Sequence, residues 1–366
     1  MCIRDRGALL LSNPEAASNP FYNLAPSWAL YPLVVIATAA TVIASQALIS
    51  GVFSLTRQAV QLGYMPRVRI IHTSSLEIGQ IYIPHINWIL FVLTAWLVVG
   101  FGSSSALASA YGIAVSMTMV ITTVLTCTVA YSLWRWNALA VASVLVLFLA
   151  VDLVFLTANF TKIHDGGWFP LTMGAIVFTL MTTWRTGRRI LKERLRKQSI
   201  PLEDFIQQVG MHPPVRIPGV AVFMIGDQAV TPLAMAHNVR HNKVLHARNV
   251  LLTVISKEVP TVDESQRVEV EEVNGDFFRV VAKYGFMETP DILDILSACA
   301  EKNLVLQMSE ITFFLGRETL IASGAPGMPI WREHLFSFMS RNAERATAYF
   351  NIPVDQVVEV GIQVEI

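Results

Sequence analysis

Apolar residues run almost unbroken through five stretches of the first half of the chain, at 28–53, 83–101, 105–133, 138–161 and 168–184, and Asp152 is the only Asp, Glu, Lys or Arg inside any of them. Each stretch approaches or exceeds the roughly 20 residues a helix needs to cross a hydrocarbon core. Lipid offers a bare backbone no hydrogen-bond partner, so the pattern predicts a bundle of membrane helices. The following stretch, 185–200, is basic and carries Ile190, Leu191 and Leu195, which predicts that the last span continues as a juxtamembrane helix. From residue 201 onwards short alternating apolar runs take over, at 219–225, 250–255, 267–273, 277–281, 304–307, 311–315 and 357–364. Helical spacing appears near 232–242, 290–301 and 330–349. Strands mixed with helices over 201–366 predict a compact α/β domain of ordinary size.

Composition sharpens the division. With 53% hydrophobic and 15% charged residues and a mean hydropathy of +0.50, a soluble chain of 366 residues would hold more apolar surface than one core could bury. The formal net charge of zero hides a split. Residues 7–184 carry only the acids Glu15, Glu77, Asp152 and Asp165 and the bases Arg57, Arg67, Arg69, Arg135 and Lys162, leaving nearly all other charge to 185–366. Three cysteines, Cys2, Cys127 and Cys299, lie far apart without metal-binding spacing, which argues against a disulfide framework or a zinc site.

The basic residues also set an orientation. Arg57, Arg67, Arg69, Arg135 and the run from Arg185 to Lys197 fall on one side of the five spans, whereas the other side holds only Lys162. The positive-inside rule makes the basic side cytoplasmic, together with the tail. The first span then begins outside. No secretory signal precedes it, an apolar stub remains at Ala8–Leu11, and the span count is odd. These features lead us to expect a piece of a longer protein, in which 1–6 is an unrelated start and 7–27 is the stub of a preceding helix with its outer loop.

The connection 54–82 is a basic amphipathic run whose helical part should end at Gly63 and Pro66. Two readings stand: an anchor at anionic headgroups, or a cytoplasmic gate.

The chain resembles a family along much of its length. The run Ala44-Ser45-Gln46-Ala47-Leu48-Ile49-Ser50-Gly51-Val52-Phe53-Ser54-Leu55-Thr56-Arg57-Gln58-Ala59, with Arg69-Ile70-Ile71-His72-Thr73-Ser74 and Gly79-Gln80-Ile81-Tyr82-Ile83-Pro84 after it, is similar to the KUP/HAK/KT potassium-uptake transporters. Further similarity lies in Ala110–Val115, Phe155–Asn159, Gly166–Pro170, Met181–Trp184, Pro213–Arg216, His241–His246 and Gly361–Ile366. Coverage is about residues 7–366, and Met1–Arg6 do not match.

The resemblance implies a polytopic helical membrane domain, the last five spans of an inverted-repeat fold of the amino acid, polyamine and organocation type, followed by a cytoplasmic α/β domain. It implies potassium import across the cell inner membrane, commonly driven by proton symport, with no enzymatic step. It also implies an absent N-terminal half that holds most of the cation ligands. In such folds the ion sits near the bilayer midplane.

Potassium takes oxygen ligands in place of its hydration shell. In the third span Ser103, Ser104, Ser105, Ser109, Tyr111, Gly112, Ser116 and Thr118 form a polar, small-residue stripe. Tight helix packing explains such a stripe equally well, while the resemblance favours the Tyr111 hydroxyl as a group near the permeating cation. In the first span Ser45, Gln46, Ser50 and Ser54 recur near spacings of four, for packing or for the inner pathway. Related folds flank an ion site with this helix, which lends weight to Ser45 and Ser50. Asp152 costs about 2.5–3.5 kcal/mol to place mid-membrane unless paired or neutral. It is read either as a proton-linked carboxylate or as a structural hydrogen bond to a Ser or Thr on a neighbouring helix.

The tail offers little chemistry. His237 and His241 share a helix face, with His246 beyond, but no Glu follows His237 and no third metal ligand declares itself. No phosphate-binding loop or nucleophile elbow occurs. The resemblance assigns the tail a regulatory role, with a nucleotide regulator and a homodimer among its partners besides membrane lipid; no nucleic acid polymer is expected. A potassium transporter is therefore the leading expectation, ahead of a membrane-tethered sensor module, a transporter of another substrate, or a membrane-bound enzyme.

Overall fold

The structure, a computed structural model, describes residues 8–11, 21–72, 80–324 and 327–366. The start Met1–Arg6, residues 7 and 12–20 of the expected stub 7–27, Cys2, Glu15 and the motif residues Thr73–Gly79 lie outside the described residues. The chain divides into two compact units, residues 1–56 with 70–83, and residues 57–69 with 84–366.

The first unit is built on helix α1 (Leu30–Gln61), which is continuous into the second. It runs eight residues beyond the apolar stretch that ends at 53 and stops just before the expected helix end at Gly63, because the amphipathic run after Phe53 contains no helix breaker before that glycine. Gly63 adopts φ 75°, the left-handed conformation that closes helices. Along α1 the hydroxyls of Thr38 and Thr56 donate to carbonyls one turn back, at 2.8 Å each, so neither is left bare in apolar surroundings. Strands β1 (Ile71–His72) and β2 (Ile81–Tyr82) pair antiparallel, and Tyr82 meets Phe53 edge-on at 5.8 Å.

The second unit opens with α2 (Pro84–Phe101), α3 (Ser104–Ser132), α4 (Ala138–Phe160) and α5 (Trp168–Gln198). Pro84 occupies the first turn of α2, where a missing N–H costs nothing. Ser103 caps α3 by accepting from the Ala106 N–H, and Asn137 caps α4 by accepting from Leu139 at 3.0 Å. Among the described residues four helices are long and apolar enough to cross a membrane, and they match the first four expected spans. The fifth, expected at 168–184, is not among them. Its apolar part is short and interrupted by Thr172, Thr179, Thr182 and Thr183, and it continues without a break into the basic residues 185–198.

The tail is a six-stranded sheet in the order β5-β6-β4-β3-β7-β8, formed by β3 (Val215–Met224), β4 (Val244–Lys257), β5 (Val268–Asn274), β6 (Phe277–Gly285), β7 (Ile311–Ile321) and β8 (Val357–Glu365). Only the β5–β6 pairing is antiparallel. Alternation of period two sends Val222, Leu252 and Phe313 to one face, against Ile292 and Ile295 of α8 (Ile292–Glu301). Phe223, Leu251 and Phe314 go to the other face, against α6 (Leu202–Met211) and α7 (Leu233–His237). A third cluster joins Trp184 and Leu191 of α5 to Phe336 and Met339 of α9 (Ile330–Arg341) and to Ile362 and Val364 of β8.

Six of the seven expected strands are present. The run 304–307 is not one of them: Asn303 takes φ 65°, and Leu304 donates its N–H to Cys299, closing α8. Leu304 and Leu306 alternate because they pack on the core, with no strand beside them. The expected helix 330–349 is split, since Arg345 is extended and a single turn, Ala346–Tyr349, follows.

Candidate functional site

Tyr111 and Asp152 line one groove of about 500 Å³ along α3 and α4, with Thr118, Thr122 and Thr123 between them and Val115, Met119 and Phe148 as apolar wall. The groove follows from helical spacing, because Tyr111, Thr118 and Thr122 recur at intervals that keep one face of α3. Tyr111 is 71% exposed, so its hydroxyl is available to a ligand or to another helix. Asp152 is 4% exposed, and its Oδ2 accepts a hydrogen bond of 2.6 Å from Thr123 Oγ1. One of the two readings of Asp152 expects a Ser or Thr partner on a neighbouring helix, and that partner is Thr123, which carries no signal of its own among many threonines. The Thr118 hydroxyl donates to the Ala114 carbonyl at 2.8 Å, which uses its proton and leaves its oxygen able to accept.

The rest of the stripe separates by face. Gly112 and Ser116 turn away from the groove toward α4, where Asn159 Nδ2 donates to Ser116 Oγ at 3.3 Å. A Cβ on Gly112 would stand 2.7 Å from Asn159 Oδ1, so this glycine permits the close approach of the two helices. Here the packing reading is the one the geometry bears. Ser45 and Ser50 occupy exposed positions of α1, in the other compact unit.

In the tail the His237 and His241 rings lie 5.6 Å apart, edge to face. His246 sits on β4 against Phe314, and burial holds its pKa below the ordinary histidine value. Among the described residues no group of three or more His, Cys, Asp or Glu could hold a metal. Burial also pushes the Cys299 thiol up to about 11, so it is an inert core side chain.

Within the connection 54–82, which the sequence leaves as an anchor or a gate, residues 57–69 make specific contacts. Arg185 of α5 lies over the Tyr64 ring at 4.9 Å and donates to its hydroxyl at 2.9 Å. Arg57 and Gln61, 5% and 6% exposed, are buried polar side chains that amphipathic spacing alone did not single out.

Comparison with known proteins bears on both halves. The K+ potassium transporter integral membrane domain matches residues 2–189, and the K+ potassium transporter C-terminal domain matches residues 218–366. A "Probable potassium transport system protein Kup" of Myxococcus xanthus is 60% identical over 364 residues, covering 99% of this chain and 55% of the relative. Proteins of the same description from Bdellovibrio bacteriovorus and, as "Kup 1", from Geobacter sulfurreducens are each 54% identical, over 99% of this chain and 55% and 57% of their own lengths. The chain thus spans little more than half the length of these relatives.

Proposed function

The chain belongs to the K+ potassium transporter family, and on that premise we propose that it serves potassium import across the cytoplasmic membrane, driven by proton symport. The observation that carries this reading is the match through both the membrane helices and the tail, at up to 60% identity over 99% of the chain. In this reading α1 to α5 are five spans of an inverted-repeat transporter, the fifth leaving the membrane within α5. The basic connections and the α/β tail lie in the cytoplasm, and the tail regulates the membrane part.

The Tyr111 hydroxyl stands beside the ion path, and the threonine oxygens of the same groove extend a hydroxyl-lined surface of the kind a dehydrating potassium ion needs. Ser45 and Ser50 of α1 contribute to the inner pathway. Growth at limiting potassium of a bacterial strain without its own uptake systems, expressing the native gene, tests both levels. We expect rescue by the wild type and a loss of rescue of about tenfold or more in potassium requirement for Tyr111→Phe at equal membrane abundance, the scale of losing one hydrogen-bonding hydroxyl. Absence of rescue by well-expressed wild type would move the function to another substrate or to sensing.

A further inference from the structure

Open α/β sheets bind their ligands outside the carboxyl ends of the strands, near the point where strand order reverses. In the tail that point lies between β3 and β7, since β4 and β6 follow on one side and β8 on the other. The chain itself packs nearby. Trp184 and Leu191 of α5 share one cluster with Leu233, the first residue of α7, and Leu320 of β7, while Lys192 reaches Asp227 in the loop after β3 at 3.7 Å.

The neighbouring carboxyl ends, of β4 and β6, are filled by the intracellular end of α1. The Arg57 guanidinium donates to the Met287 carbonyl. Gln61 Nε2 donates to the Glu288 carbonyl at 3.1 Å, and Gln61 Oε1 accepts from Ser256 Oγ, at the end of β4, at 3.2 Å. The receiving loop is braced from behind. The Glu288 carboxylate accepts from the Gly285 and Val262 N–H groups at 2.7 and 3.0 Å and pairs with Arg267 at 2.7 Å. Further along, Arg67 lies 5.4 and 5.5 Å from the Tyr349 and Phe350 ring centroids, and its carbonyl accepts from the Glu344 N–H at 2.8 Å.

We propose that segment 57–69 is the resident ligand of this carboxyl edge, and that Arg57 and Gln61 are positioning residues through which the tail fixes the inner end of α1 throughout the transport cycle. The acceptors are backbone carbonyls of a loop held by a half-buried ion pair, a mount that rotation of the acceptor side chains cannot release. Burial raises the Tyr349 phenol and lowers the Arg67 guanidinium from their ordinary values, so both sit in a desolvated joint where polar contacts are strengthened. This inference rests on the transport reading for its activity assay but not for its contact assay.

The test uses the native gene in membranes, with Arg57→Ala, Arg57→Lys, Glu288→Ala and the Arg57/Glu288 double variant, each compared at equal abundance. We expect each Ala variant to lower the maximal rate of potassium uptake roughly fivefold or more with KM unchanged, the lower end of ordinary coupling between sites. Arg57→Lys should restore part of it, because one ammonium donor still reaches a carbonyl, and the double variant should be no worse than the poorer single. Wild-type rates in either Ala variant, a shift in KM, or losses that multiply would overturn the proposal. A Gln61→Cys/Ser256→Cys pair treated with a short bifunctional thiol reagent serves where a variant does not accumulate. Cross-linking with uptake retained is the expected result. No cross-link would refute the contact even if nothing is transported, and a cross-link that stops uptake would refute its permanence.

Discussion

A buried carboxylate facing a hydroxyl at 2.6 Å has its desolvation offset by a strong, short bond, and Asp152 in α4 reaches that state through Thr123 of α3. An asparagine in its place keeps an oxygen that accepts from the same hydroxyl but cannot exchange a proton. If the bond is what this residue provides, Asp152→Asn should leave the pH dependence of uptake where it is. A profile flattened by the substitution would assign the carboxylate to proton movement. The sequence showed Asp152 plainly, because one acid among apolar neighbours is costly, yet it could not name Thr123, which is one hydroxyl among many. Arg57 was legible as a charge and illegible as a buried one. Its carbonyl partner at Met287 lies 230 residues away, and backbone acceptors leave no mark in a side-chain pattern.

At the scale of elements, α5 contains its own control experiment. A Cβ on Gly187 would stand 2.4 Å from the Phe336 ring of α9, whereas one on Gly174 of the same helix would meet nothing within 4 Å. Gly174→Ala should therefore raise stability by about 0.5–1 kcal/mol through helix propensity alone. Gly187→Ala should lower it by about 1–3 kcal/mol, because a rigid aromatic ring must move. Thermal unfolding of the detergent-solubilised protein checks both, and equal shifts would mean that α5 and α9 do not pack as described. Periodicity found these helices and six strands because one-faced burial writes itself into spacing. It failed where burial had no regular partner: Leu304 and Leu306 alternate like a strand while packing from a loop. The apolar stretch ended at 53 while the helix ran on to Gln61, because apolar character and helix length are separate signals, and the second was carried by Gly63 and Pro66.

At the scale of the molecule, the tail and α5 share one hydrophobic cluster, so the fold of residues 201–366 is not self-contained. Trp184 and Leu191 are 7% and 1% exposed, and they pack with Phe336 of α9 and with Ile362, Val364 and Ile366 near the end of the sequence. Burying two such side chains contributes about 3–6 kcal/mol at ordinary transfer values. For a domain of this size each kcal/mol is worth roughly 2–4 °C in Tm. A fragment of residues 182–366 should then melt about 6 °C or more above one of residues 201–366, which leaves that surface open to water. The shorter fragment should also bind a hydrophobic dye or self-associate, as an uncovered apolar patch does. Equal melting temperatures would place the α5 contact outside the folding unit and leave the carboxyl edge of the sheet open to another occupant. A large difference would make the C-terminal half of α5 a structural part of the tail, so that any movement of α5 is transmitted directly to the domain whose Met287 carbonyl holds Arg57.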